Sequence, residues 1–183
     1  MAAHPPLGIL RTVADALRQA GLHPTLGGSG LLLAHGLVDH VRDWDLLVDA
    51  ERAIVETALT NANLAWSDAD HGGPYATTAR LVATVEGVEV DVMVRFAIWP
   101  DGMPHTEPPV HIPSLPGAEW NGVALGSLEA WLVAYRLMHR PQKPDRIHAY
   151  LHMHGVDHKA LRQMLAEPVP YEIRAELEHL TAM

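Results

Sequence analysis

Apolar residues recur with a helical period in the first segment of the chain and in shorter, strand-like runs after it. Residues 6–20 carry leucine and valine at three- and four-residue spacing, between a proline and a glycine, which predicts a helix. Ser29 is placed to cap a second, short helix that Gly36 closes. Apolar runs about a Glu86-Gly87 turn predict a hairpin. The other elements predicted in this half are strands at 23–27 and 41–48, a helix at 51–63 and a loop at 67–74.

The pattern changes after a proline-rich stretch at 99–117, which predicts a long irregular connection. Beyond it the spacing is helical, and Ser127 is placed to cap the first of four helices. These helices are predicted at 128–139, 145–154, 157–166 and 170–182. The layout predicts an α+β fold, with a small mixed β-sheet flanked by helices at 1–113 and a C-terminal helical lobe at 114–183.

Composition sets bounds on this layout. The 183 residues are 48% hydrophobic and 19% charged, a balance typical of a globular chain with a buried core. No apolar run reaches the roughly 18 residues of a membrane span, and the start of the chain lacks the pattern of a secretion signal. We therefore expect a cytoplasmic protein with no membrane partner. The absence of cysteine excludes disulfides, thiolate nucleophiles and sulfur-bound zinc, and the net charge of −9 argues against an extended nucleic-acid surface.

Two aspartates interrupt the predicted strand at 41–48, where apolar residues suggest burial. Residues two apart on a strand point to the same face, so Asp43 and Asp45 are expected to project together while Trp44 points the other way. Asp91 sits among valines in the second hairpin strand, again at an unusual place for a charge. Burying a carboxylate costs several kcal/mol unless a partner is present. If the two strands are neighbours, the three aspartates converge.

This set of residues is suited to phosphate chemistry. Hard cations such as Mg²⁺ bind to one or two carboxylates together with phosphate oxygens of a substrate. In the turn Gly27-Gly28-Ser29 the glycines lack a Cβ, so backbone amides and the start of the helix can approach phosphates. The combination predicts phosphoryl or nucleotidyl transfer, with one metal on the triphosphate and a second metal, or a carboxylate base, activating an attacking hydroxyl.

The chain resembles the nucleotidyltransferase superfamily typified by DNA polymerase beta. The resemblance rests on LGGSG, then DWDLLVD, then an aspartate on a later strand in VDVMV, and it covers roughly residues 5–100. The segment GVALGSLEAWLVAYRLMHRPQKPDRI is similar to the tail of small bacterial members. The resemblance implies a nucleoside triphosphate substrate and one or two Mg²⁺ ions. It implies metal ligands, and catalytic residues, at Asp43, Asp45 and Asp91, and triphosphate contacts at Gly27, Gly28 and Ser29.

The function expected on this basis is Mg²⁺-dependent transfer of a nucleoside monophosphate to an acceptor hydroxyl, with release of pyrophosphate. Asp91 would bind the second ion or act as general base. The acceptor stays open between an antibiotic-like small molecule, a protein and RNA, and the acidic composition favours a cationic small molecule. The alternative is a catalytically inactive module of the same fold that binds a nucleotide or a protein partner.

Some of these residues also have simpler, purely structural interpretations. The aspartates could be paired with Arg42, Arg80 or Arg95 in a purely structural role. Asp68 and Asp70, beside His71, are interpreted as residues of a solvated loop, and Asp49 as a cap of the following helix. A helical face rich in histidine could bind a metal, although a polar helix face is the simpler interpretation. Its residues are Asp145, His148 and His152, with His154 and His158 after them.

Overall fold

The computed structural model describes residues 4–70, 72–104 and 107–183 and forms two compact units. The first consists of Met1–His71, Thr77–Phe96 and Pro113–Gly126, and the second of Gly72–Ala76, Ala97–Ile112 and Ser127–Met183. The helices are α1 (Leu7–Gln19), α2 (Gly28–Ala34), α3 (Arg52–Asn61), α4 (Leu128–Leu137), α5 (Lys143–His154), α6 (His158–Ala166) and α7 (Tyr171–Thr181). The strands are β1 (Thr25–Leu26), β2 (Trp44–Val48), β3 (Ala65–Ala69), β4 (Ala79–Val85), β5 (Val88–Val94), β6 (Ala97–Ile98), β7 (Val110–His111), β8 (Glu119–Trp120) and β9 (Val123–Ala124).

The first unit is built on a mixed five-stranded sheet in the order β1-β2-β5-β4-β3. Only the β2–β5 pair is parallel in this sheet, and the other neighbours are antiparallel. β4 and β5 form the predicted hairpin, with φ of 52° at Glu86 and 79° at Gly87. Positive φ at both central residues matches the right-handed twist of the strands that a two-residue turn joins. The α+β fold class is confirmed.

One face of this sheet is the core of the first unit. Trp44, Leu46 and Val48 of β2 are buried on that face, and the β2–β5 register places Val90, Val92 and Val94 beside them. α1 packs against β4, β5, β9 and α3, and its apolar residues are buried. Asp45, Asp91 and Arg80 lie at the alternate positions, on the opposite face of β2, β5 and β4.

The segment 113–126 returns to the edge of the same sheet. The Ser114 hydroxyl lies 3.0 Å from Thr25 Oγ1 and donates to the carbonyl oxygens of His23 at 3.1 Å and Leu47 at 3.0 Å. The Ser114 amide donates to Asp49 Oδ2 at 2.8 Å. The N-cap of α3 is Glu51, without a side-chain cap bond, so the prediction that Asp49 caps α3 was wrong. These bonds attach the segment to β1 and to the end of β2.

The second unit is largely helical. Ser127 caps α4 as predicted, accepting from the Ala130 amide at 3.1 Å. Glu129, only 4% exposed, accepts from the Ser127 hydroxyl at 2.8 Å and from the Asp157 amide at 2.7 Å. This buried carboxylate therefore joins the start of α4 to the start of α6. In the part of the chain that the structure describes, no helix has the length and apolar character needed to cross a bilayer.

Several local predictions were wrong for identifiable reasons. The segment predicted as a loop at 67–74 contains most of β3, an edge strand whose side chains are mostly exposed; the predicted neighbour of its acids, His71, lies outside the described residues. The helix predicted at 145–154 begins earlier, at Lys143, because Pro144 occupies the first turn of α5, where a missing amide hydrogen costs nothing. Ser29 lies inside α2, because the helix already begins at Gly28 with Gly27 as its N-cap.

Candidate functional site

The parallel pair β2–β5 places two of the predicted acids side by side. Asp45 and Asp91 are direct partners in the register, between the pairs Trp44–Val90 and Leu46–Val92. Partners in a register share a face of the sheet, so both carboxylates project from the face opposite the core. Both residues are half-buried. The strand pairing on which the predicted convergence depended is therefore present for these two.

Asp43 takes a different position from the one predicted. β2 begins at Trp44 instead of residue 41, and Asp43 is an exposed residue in the bend just before it. It lies two residues before Asp45 in the sequence, directly before the N-terminal end of β2. The strand alternation therefore does not fix its direction.

The glycine turn lies directly against Asp45. The Gly27 amide donates to the Asp45 carbonyl oxygen at 2.9 Å, which continues the antiparallel pairing of β1 with β2. Gly28 has φ of 56°, and a Cβ added there would lie 1.9 Å from Asp45 Oδ2 and 2.8 Å from its Cγ. No residue but glycine fits between this backbone and the carboxylate without displacing one of them. Ser29 follows as a half-buried residue of α2.

Asp91 has an arginine partner on the neighbouring strand. Arg80 Nε donates to Asp91 Oδ1 at 3.1 Å and Arg80 Nη2 donates to Asp91 Oδ2 at 2.9 Å. Arg80 Nη1 also donates to the carbonyl oxygen of Asp70 at 3.2 Å, just past the end of β3. Of the arginines considered as partners, Arg95 bonds instead to Glu51, at 2.8 Å. The structural interpretation thus holds for Asp91, through Arg80.

Comparison with solved structures decides the fold. A candidate nucleotidyltransferase from Thermotoga maritima aligns with a TM-score of 0.57 at 22% identity, covering 80% of this chain and 92% of that one. The antibiotic-resistance factor ANT(2″)-Ia aligns with a TM-score of 0.51 at 15% identity, covering 96% of this chain and 89% of that one. The chain has the nucleotidyltransferase fold. No family model and no curated protein matches the sequence itself.

The predicted superfamily resemblance is thereby confirmed at the level of the nucleotidyltransferase fold. The sequence signal came from a glycine turn, an acid-x-acid segment and a later strand acid. The structure places the turn between β1 and α2, Asp45 on β2 with Asp43 just before it, and Asp91 on β5. At these levels of identity the likeness shows the fold, and it assigns no reaction and no residue roles to this chain.

The donor set fits a hard cation in part. Carboxylate oxygens are the ligands that Mg²⁺ prefers. Asp45 would supply them beside the Gly28 backbone, and Asp43, two residues earlier in the chain, would add its own. Asp91 would have to give up Arg80 before it could do the same. Among the residues that the structure describes, no three or more His, Cys, Asp or Glu side chains are grouped closely enough to hold a metal ion. Asp45 and Asp91 are thus neighbours on the sheet, but in the described part of the chain the three predicted ligands do not form one such group.

The histidines of α5 have other contacts. His148 Nδ1 lies 2.7 Å from Glu176 Oε1, the ring of His154 stacks on Tyr150 with centroids 4.2 Å apart, and His152 Nδ1 lies 3.3 Å from Met183 Sδ. The absence of a metal group in the described residues covers these side chains too. The interpretation as a polar helix face is the one that these contacts favour.

The Glu176 carboxylate is the centre of an ionic network in the second unit. It accepts from Arg136 Nε at 2.9 Å and from Nη2 at 2.8 Å, and Arg136 Nη1 donates to Asp145 at 2.8 Å. Burial by itself would raise the pKa of Glu176, but the hydrogen bonds and charges of Arg136 and His148 bring that pKa below its usual value. Glu176 is therefore an ionised structural residue, and this network accounts for the Asp145 and His148 of the predicted metal face.

Two residues near the site carried no functional prediction. Gly30 lets α2 pack onto β2, because a Cβ there would lie 2.8 Å from Leu26 Cδ1 and 3.0 Å from Trp44 Cε3. Ser114 ties the returning segment 113–126 to the strands that carry the site. For Gly30 the available signal was its place in a GGSG turn; Ser114, in a proline-rich segment, gave none.

Proposed function

We propose that this chain transfers a nucleoside monophosphate from a nucleoside triphosphate to an acceptor hydroxyl, in a reaction that requires Mg²⁺. The acceptor oxygen bonds to the α-phosphorus, the bond from that phosphorus to the bridging oxygen breaks, and pyrophosphate leaves. The proton of the hydroxyl passes to a base. The observation that carries the proposal is the Asp45–Asp91 register pair with the glycine turn packed on Asp45.

The residues have distinct roles in this proposal. Asp43 and Asp45 would hold Mg²⁺, which neutralises charge on the triphosphate and orients it for in-line attack. Gly27, Gly28 and Ser29 would lie along the phosphates, because the backbone there carries no bulk toward Asp45. The prediction that Asp91 binds a second ion or acts as general base remains a prediction, and the Arg80 pair bears on it directly.

For the acceptor we propose a cationic small molecule. The net charge of −9 favours a positively charged acceptor over RNA. One structural neighbour is an antibiotic-resistance factor, which makes antibiotic-like compounds the first class to test. Protein and RNA acceptors follow as the next classes.

The first test is ligand-dependent unfolding. Wild type, an Asp43→Asn/Asp45→Asn double variant and an Asp39→Asn control are heated with and without Mg²⁺ and each of ATP, GTP, CTP and UTP. A ligand that binds only the folded state stabilises it by about 2.7 kcal/mol at a hundred times its Kd. We expect one triphosphate with Mg²⁺ to stabilise wild type and the exposed-loop control but not the double variant. Equal responses of all three proteins would remove the two aspartates from the site.

The Arg80–Asp91 pair also favours a second candidate, a nucleotide-binding module without catalysis. A carboxylate with both oxygens bonded to arginine is poorly placed to take a proton from an acceptor. Pyrophosphate release separates the two candidates once a stabilising triphosphate is known. Release that depends on a cationic acceptor supports the transferase, whereas binding without release in any acceptor class supports the module.

A further inference from the structure

Three neighbouring strands bring two carboxylates and one guanidinium to the same face of the sheet. Asp45 is the register partner of Asp91 on β5, and Asp91 is the partner of Val82 on β4. Arg80 lies two residues before Val82, on the same face. Diagonal neighbours on adjacent strands are about 7–8 Å apart, within reach of a long side chain. The sheet itself therefore sets Arg80 beside the acids.

The pair that results is bidentate and anchored. Nε and Nη2 of Arg80 each bond to a different oxygen of Asp91, and Nη1 bonds to the Asp70 carbonyl oxygen. Planar two-point contact is the strong form of an arginine–carboxylate bond, and a guanidinium stays charged at any pH that proteins tolerate. Three contacts hold this positive charge in place before any ligand arrives.

The Arg80 side chain is more exposed to solvent than the Asp91 side chain. The Asp91 side chain is 13% exposed and that of Arg80 is 39% exposed. Solvent, and hence an anionic ligand, reaches the arginine more readily than the carboxylate. The positive charge of the Arg80–Asp91 pair is therefore more accessible to solvent than the negative charge.

We infer that Arg80 is a resident second cation of the site, in place of a second metal ion, and that Asp91 is the positioning residue that holds it. The inference rests on the proposed function. The site then binds a single divalent ion, through Asp43 and Asp45, and the fixed guanidinium supplies the other positive charge toward the triphosphate. A lysine could supply the charge without the two-point geometry, and glutamine could supply neither.

The test counts metal ions. Mn²⁺ is titrated into the protein in the presence of the α,β-methylene analogues of ATP, GTP, CTP and UTP in turn, and free Mn²⁺ is measured by electron paramagnetic resonance. We expect one Mn²⁺ per protein–nucleotide complex in wild type and in Arg80→Lys, and two in Arg80→Gln, where Asp91 is released. Arg52→Gln is the matched control, since Arg52 bonds to Glu56 and Asp68 away from the site, and it keeps the wild-type count.

Other outcomes overturn the inference. Two ions in wild type would show that Arg80 yields to a metal, while leaving the proposed function intact. One ion in both wild type and Arg80→Gln would show that Arg80 does not exclude the second. Failure of every analogue and of Mn²⁺ to bind would instead refute the proposed function and this inference with it.

A second pair of variants keeps the test decisive if Arg80→Gln does not fold. Under the inference, Asp91→Asn retains the wild-type Mn²⁺ affinity within about twofold, whereas Asp45→Asn loses tenfold or more. A tenfold loss in Asp91→Asn would identify Asp91 as a metal ligand and overturn the inference.

Discussion

Gly28 offers the sharpest perturbation of the site, because its substitution acts on Asp45 without removing the carboxylate. In Gly28→Ala the new Cβ would lie 1.9 Å from Asp45 Oδ2. Atoms at that distance overlap, so either the α2 backbone or the aspartate must move. We expect the aspartate to rotate, since the turn is held by the Gly27–Asp45 backbone bond.

The expected effect of Gly28→Ala has two parts, a loss of stability without ligand and a loss of stabilisation by ligand. Gly28 has φ of 56°, and left-handed backbone costs a residue with a side chain roughly 1–2 kcal/mol. Gly36 has φ of 68°, and a Cβ added there would meet no atom within 4 Å, so Gly36→Ala carries the backbone cost alone. The excess loss of stability in Gly28→Ala measures the collision with Asp45. The second part appears with ligand: stabilisation of about 2.7 kcal/mol at a hundred times Kd should be largely lost when Asp45 is displaced.

Urea unfolding of both variants and wild type, with and without Mg²⁺ and the triphosphate that stabilises wild type, measures both parts. We expect Gly36→Ala to lose about 1–2 kcal/mol in either condition and to keep its full response to ligand. Gly28→Ala should lose more and respond little. Equal losses and equal ligand responses in the two variants would refute the reasoning that the turn and the carboxylate form one site.

Three further predictions concern the scaffold. Ser114→Ala should lower the free energy of unfolding by about 1–3 kcal/mol in urea, since it leaves buried groups of the β1–β2 edge unpaired, while Ser67→Ala on the exposed edge strand should change little. Glu176→Gln should lower the free energy of unfolding by about 1–3 kcal/mol at pH 7. Because folding lowers the pKa of Glu176, wild type should lose this advantage as pH falls below about 4.3. Acid unfolding followed by circular dichroism should therefore show a weaker dependence of stability on pH in the variant. Ser127→Ala should cost about 1 kcal/mol through the lost cap of α4, and an unchanged urea midpoint would contradict that.

Local signals were enough to predict much of the fold. The β4–β5 hairpin follows from the Glu86-Gly87 pair, because a two-residue turn with positive φ depends only on those residues. The cap of α4 and the bounds of α1, α6 and α7 follow from neighbours in the sequence in the same way. β3 escaped prediction because an exposed edge strand shows no apolar alternation to detect.

The site depended on long-range information that the sequence does not hold in one place. A slip of one residue between β2 and β5 would have put Asp45 and Asp91 on opposite faces, and only the packed sheet fixes that register. The choice of Arg80 over the other arginines also required the order of the strands. Composition and spacing were enough to predict the candidate residues. Which of them lie together depends on the pairing of strands that are distant in the sequence.

The parallel alignment of β2 with β5 has a consequence for how the protein folds. The β4–β5 hairpin can form by itself in about 1–10 μs. β2, in contrast, is separated from β5 in the sequence by α3, β3 and β4, so their pairing has to close a long loop. Pairings of this kind are intrinsically slow, because the entropy of closing the intervening chain is lost before the contacts form. Asp45 and Asp91 therefore meet late in folding, and the ability to capture a ligand should appear in a refolding experiment after most of the secondary structure is in place.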